Sequence, residues 1–179
     1  LDFLKKSHEP YVVIASGDGI YKLDFNKVLE YHIEKKADIT VVCRDMEKDI
    51  NVERFGTLRM NEDYRIEEFE EKPLKAKTNT VSCGIYVIRR RQLIEMIEKC
   101  AEEDRYDFVR DILIRYKDMK RIYGYKIKEY WRNIASVEAA MEAGIAKANE
   151  VSGVVQHYII ANPTDDTEKM LKLSAFDKS

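Results

Sequence analysis

The strongest constraint on the fold is the order strand, helix, strand in the first 43 residues. Tyr11 to Ala15 (YVVIA) is a short β-branched run ending at the turn Ser16-Gly17-Asp18-Gly19. Asp24 can cap a helix whose Phe25, Val28, Leu29 and His32 share one face. Asp38 to Cys43 (DITVVC) is a second buried strand, and a strand-helix-strand order is what a parallel pairing requires. The stretch before it, Leu1 to Leu4, reads like the end of a helix, with further sequence expected upstream.

The middle has another texture. Phe55 to Met60 and Arg65 to Glu70 flank the polar turn Asn61-Glu62-Asp63, which predicts an antiparallel hairpin. Val81 to Ile88 is a further strand, and its internal Gly84 marks a close approach by a ligand or another backbone. Two amphipathic helices follow, on Leu93, Ile94, Ile97 and Ala101 and on Val109, Ile112, Leu113 and Tyr116. Arg121 to Ile127 is a strand, and from Ile134 onward a helix over Ala135 to Glu150, a strand over Val154 to Ala161 and a helix over Thr164 to Leu173 are predicted. The fold class is therefore α/β with a mixed sheet and a small C-terminal helix-strand-helix.

Composition limits function by class. With 36% charged residues and a formal net charge of only -2, nothing global points to nucleic acid or an anionic membrane. The apolar runs are strand-sized, so no membrane span is expected. Cys43, Cys83 and Cys100 stand far apart without metal-ligand spacing, which fits reduced thiols and a cytoplasmic setting.

Two places carry candidate chemistry. Asp18 sits at the carboxyl end of a strand, where open α/β sheets place ligands; it is either a turn former or a carboxylate that holds a divalent cation. In Glu70-Glu71-Lys72-Pro73 the proline would hold Lys72 extended, its ammonium available to a phosphate or sugar, unless the segment only protects a sheet edge. The run Arg89-Arg90-Arg91 reads as a solvated helix start, with attraction of an anionic effector as the alternative. His157 reads as a packed or surface residue, and Tyr130 and Trp131 as packing residues.

In order, the chain contains SGDGIYKLDF (16 to 25), RFG (54 to 56), FEEKP (69 to 73), SCGIYVI (82 to 88) and YWRNI (130 to 134). Jointly these resemble glucose-1-phosphate adenylyltransferase over about residues 1 to 138. The resemblance implies a Rossmann-like nucleotidyltransferase partial domain over residues 1 to 133. In it Asp18 binds magnesium, Glu71 and Lys72 contact the sugar phosphate, and Ser82 with Gly84 line the sugar pocket. Three departures imply binding or regulation in the ADP-glucose pathway of glycogen synthesis rather than turnover. The family's glycine-rich nucleotide loop, which lies upstream of Ser-Gly-Asp, is not in these residues; Asn133 replaces an aspartate expected as second metal ligand; and Gly19 replaces a histidine. The last two resemble the non-catalytic regulatory subunit of some bacteria, whose partner is a homologous catalytic subunit or a second copy of itself. Residues 134 to 179 form a separate segment, in which about 134 to 173 resemble the second half of a bacterial microcompartment shell protein. That resemblance implies an alternative, a structural assembly module, or a composite of the two.

Overall fold

A computed structural model describes residues 1–47, 50–136, 139–142 and 144–146. The chain divides into two units. One comprises Leu1–Gly17 and Tyr21–Trp131; the other comprises Asp18–Ile20 with the chain from Arg132 on.

In the first unit, α1 (Asp2–Lys6) leads into β1 (Tyr11–Ala15). The helix α2 (Phe25–Glu34) begins where expected, since the Asp24 carboxylate accepts from the Asn26 backbone N–H at 3.0 Å. Its buried face carries Val28 and His32. The strand β3 (Ile39–Asp45) is solvent-free along Ile39 to Cys43. The hairpin is β4 (Gly56–Met60) and β5 (Ile66–Glu71), whose turn is closed by Asn61: its side-chain oxygen accepts from Asp63 N at 3.0 Å and Arg65 N at 2.9 Å.

The long strand β6 (Thr80–Arg89) organises the sheet, whose order is β5-β4-β6-β3-β7 with β1 also on β6 and β7 at Ile122–Lys126. β1 and β3 run in the same direction but do not pair; β6 lies between them, antiparallel to both. The parallel partner of β3 is β7. The sheet is therefore mixed, as expected, although the first strand-helix-strand unit does not itself supply adjacent strands.

Side chains alternate between two faces. Ile39, Val41, Cys43, Tyr86 and Ile88 pack under α3 (Arg90–Glu102) and α4 (Phe108–Ile114), while Val42, Val81, Cys83, Ile85 and Val87 pack with Val28 and Trp131. The second predicted amphipathic helix is corrected in type. α4 is wide, of π form, with Arg115 N–H reaching Arg110 O. Spacing of apolar residues does not distinguish that winding from an α-helix over two turns.

Apart from this sheet, β2 (Gly19–Tyr21) and β8 (Trp131–Asn133) make a two-stranded ribbon, and in the second unit residues 139–142 and 144–146 are helical. The strand over Val154 to Ala161, with His157, and the helix over Thr164 to Leu173 lie outside the described residues. So does most of the stretch with the shell-type resemblance. Among the described residues no helix is long and apolar enough to cross a membrane.

Candidate functional site

The site residues of the first unit gather around an irregularity in β6. Pairing with β3 runs Val42↔Ile85 and then Cys43↔Ser82, so Cys83 and Gly84 bulge out of register. Bulges bend a strand and re-aim its side chains. Gly84 takes φ 70, and a Cβ there would lie 2.9 Å from Ser16 Cβ, with Ser16 N–H donating to Gly84 O at 2.8 Å. Its lack of a side chain is required by that approach, as expected of a glycine inside a strand.

Ser82 is buried and sits within the bulge. Its hydroxyl accepts from Gly84 N–H at 3.2 Å and lies 3.3 Å from the Tyr86 hydroxyl. Burial raises the Tyr86 phenol above its ordinary range; the Ser82 hydrogen bond opposes this, while the Glu71 and Asp107 carboxylates add to it. Glu71 ends β5 opposite Gly56, and its Oε2 would be 3.0 Å from a Cβ on that glycine. Burial likewise raises the Glu71 carboxyl, opposed by Lys72 and Arg110 and reinforced by Asp107. Ser82, Gly84, Tyr86, Glu71 and Asp107 thus form one polar neighbourhood with hydroxyl donors, carboxylate acceptors and Lys72 beside them.

The backbone of Lys72 differs from expectation. It takes φ 46, in the left-handed region, instead of the extended form that a following proline favours. Its N–H donates to Phe55 O at 3.2 Å, extending the hairpin ladder one residue past Gly56↔Glu71 before the chain turns away. A left-handed non-glycine residue costs about 1–3 kcal/mol and is kept only where its surroundings fix it. The side chain itself is exposed. Phe55 is fixed in turn, its ring 5.5 Å from that of Trp131, whose Nε1–H donates to Cys83 O at 3.1 Å. Trp131 is a packing residue, as read from the sequence, and it braces the β6 bulge.

Sequence reasoning missed Tyr86 and Asp107. Tyr86 shares a strand face with Ser82 and could have been found by that spacing. Asp107 comes from the cap of α4, accepting from Arg110 N–H at 2.8 Å, and only the fold brings it here.

Asp18 and Asn133 belong to the second unit. The Asn133 amide donates to Asp18 Oδ2 at 2.9 Å, and Ile134 N–H donates to Asp18 O at 2.7 Å. The Asn133 oxygen accepts from Ala135 N–H at 3.1 Å. The amide therefore offers Asp18 its hydrogens, and its oxygen is already engaged. This pair does not fit a magnesium site built from two oxygen donors. Among the described residues no group of three or more His, Cys, Asp or Glu could hold a metal ion. Thiol chemistry is equally disfavoured: all three cysteines are buried, and burial pushes Cys43 up to about 12.

A family profile described as nucleotidyl transferase matches residues 1–150, past residue 133 and into the segment with the shell-type resemblance. Proteins named glucose-1-phosphate adenylyltransferase from Bacillus thuringiensis (strain Al Hakam) and Bacillus anthracis are 37% identical over 148 residues, and one from Bacillus cytotoxicus is 36% identical. Each match covers 81% of this chain and 39% of the relative, so the chain spans about two fifths of the length of these proteins.

Proposed function

The chain belongs to the nucleotidyl transferase family, and from that premise we propose that it binds a sugar 1-phosphate in the ADP-glucose branch of glycogen synthesis. Its role there is binding or regulation rather than turnover by this chain alone. The observation that carries this reading is the polar neighbourhood at the β6 bulge, where the Glu71 carboxylate at the end of β5, with Lys72 next in the chain, acts on Tyr86, whose hydroxyl lies 3.3 Å from that of Ser82. Lys72 supplies an ammonium for the phosphate dianion, Glu71 accepts from sugar hydroxyls, and Ser82 donates or accepts as the ligand demands. The name of these relatives, glucose-1-phosphate adenylyltransferase, supports glucose 1-phosphate as the sugar phosphate.

The regulatory reading rests on Asn133. Its amide hydrogens satisfy Asp18 without an added cation, so sugar-phosphate binding proceeds without magnesium. A homologous catalytic subunit or a second copy of this chain is its partner, in the cytoplasm. The shell-type alternative for residues 134 to 173 is carried by sequence resemblance alone.

Calorimetric titration of the full chain tests this. Saturable binding of glucose 1-phosphate is expected, equal with and without magnesium, and Lys72→Ala should weaken it about tenfold or more, corresponding to about 1.4 kcal/mol. Robust ADP-glucose formation from glucose 1-phosphate and ATP by this chain, or affinity untouched by Lys72→Ala, would refute the reading.

A further inference from the structure

Beside the tip of the β4–β5 hairpin lies a hollow of about 340 Å³, whose lining includes Arg59, Asn61, Glu62 and Tyr64 of the hairpin, Thr78 ahead of β6 and Lys126 at the end of β7. None of the residues gathered at the β6 bulge lines it. We propose that this hollow takes a sugar ring of an uncharged glucose oligosaccharide, at a place separate from the sugar-phosphate site. The choice of glucose rests on the function proposed above; the choice of an uncharged sugar rests on the lining.

Tyr64 is the feature that turn chemistry does not account for. It closes the hairpin turn in the left-handed region, at φ 65, with its N–H donating to Asn61 O at 3.0 Å and its carbonyl accepting from Gly124 N–H at 2.9 Å. Glycine is the usual residue at a left-handed position in a hairpin loop, and asparagine tolerates it. A bulky side chain there is an outlier that costs about 1–3 kcal/mol. Among the described residues the non-glycine positions with positive φ are Lys36, Tyr64, Lys72 and Asp104, and Tyr64 alone is aromatic. Burial offsets the strain only in part, because 45% of the residue is exposed. A glycine would serve the turn better, and what the tyrosine adds is an aromatic ring at the wall of the hollow.

Charge and hydrogen-bonding capacity decide what that ring faces. Both cations of the lining are matched, Arg59 by Glu67 and Glu68 and Lys126 by Asp45 at 2.9 Å. The Glu62 carboxylate adds negative charge, so the hollow does not favour a phosphate. Its remaining polar groups suit a polyol. Glu62 accepts; the Thr78 hydroxyl, which accepts from Thr80 N–H at 3.1 Å, has its own proton to donate; and Asn61, whose side-chain oxygen accepts from Asp63 and Arg65, offers its amide hydrogens. Sugar hydroxyls both donate and accept, and the C–H face of a sugar ring is apolar enough to lie on an aromatic face. The volume falls at the lower end of small-molecule pockets, about 300–1,000 Å³, which suits a short piece of a chain.

Maltotriose and cellotriose serve as probes in calorimetric titrations of the full chain, with glucose 1-phosphate as the control ligand. Saturable binding of a trisaccharide is expected, and it persists at saturating glucose 1-phosphate. Tyr64→Gly should weaken it about tenfold or more and leave glucose 1-phosphate binding unchanged. In urea unfolding the same variant should be no less stable than the parent, since glycine relieves the left-handed strain, a result that a purely structural tyrosine would not give. No saturable binding of either trisaccharide up to about 10 mM, affinity untouched by Tyr64→Gly, displacement by glucose 1-phosphate, or binding lost together with stability in Tyr64→Gly would overturn the proposal. Each of these outcomes leaves glucose 1-phosphate binding at the β6 bulge intact, whereas its absence beside retained trisaccharide binding would count against the sugar 1-phosphate reading alone.

Discussion

Replacing Trp131 with alanine lowers stability by about 3–5 kcal/mol, the range for removing a large buried aromatic side chain. Trp131 is 6% exposed, belongs to the core on the α2 side of the sheet, and meets the Phe55 ring edge-on. Truncation opens a cavity against Val81, Cys83 and Ile85, and it also strips Cys83 O of its donor at the β6 bulge. Trp131→Phe separates these effects. It keeps most of the apolar volume but loses the N–H, so about 1–3 kcal/mol is expected from the unsatisfied carbonyl. Urea unfolding of the two variants against the parent measures both. A cost under about 1 kcal/mol for the alanine variant would show that this ring does not brace the sheet.

Acidification from pH 6.5 to 4 costs the fold about 3 kcal/mol through His32 alone. This side chain is 1% exposed, its Nδ1 2.8 Å from Thr40 Oγ1 and its ring edge-on to Tyr11. Burial, helped by the nearby Arg89 charge and opposed by Asp38, lowers its pKa from 6.5 to about 4. Above pH 6.5 the imidazole is neutral folded and unfolded, and no penalty exists. Below 6.5 the unfolded chain takes up a proton that the folded chain refuses, so stability falls until about pH 4, where both states are protonated. Glu71 acts in the opposite direction, because its raised carboxyl binds a proton more readily in the fold. Asp38, lowered to about 2, removes stability only below its unfolded value of 3.8. The His32 contribution is therefore read as the difference between the parent and His32→Asn, which keeps an amide toward Thr40. Parallel stability curves for the two proteins between pH 6.5 and 4 would rule it out.

Much of this architecture was legible in the residues themselves. The β-branched runs of β1 and β3, the Asp24 cap and the Asn61 turn are local signals, and each acts locally in the fold. The position of β6 between β1 and β3 was not legible, because strand order depends on long-range pairing rather than periodicity. The β2 and β8 ribbon was missed because three-residue strands carry too few residues to alternate. At the site, Gly84 announced a close approach, but the partner, Ser16, lies across the sheet in sequence terms. Lys72 was expected to be extended from its proline alone; the carbonyl of Phe55, reached only through hairpin pairing, sets its backbone instead. Asn133 was noted as a departure from the expected aspartate, and its geometry adds that the amide turns its hydrogens, not its oxygen, toward Asp18.

The most direct test follows backbone amide resonances of the isotopically labelled full chain while glucose 1-phosphate is added. Saturable shifts concentrated at Lys72, Ser82, Gly84 and Tyr86 are predicted, persisting without magnesium. Shifts confined to other surfaces, or none at saturating sugar phosphate, would contradict the assignment of the β6 bulge as a sugar-phosphate site.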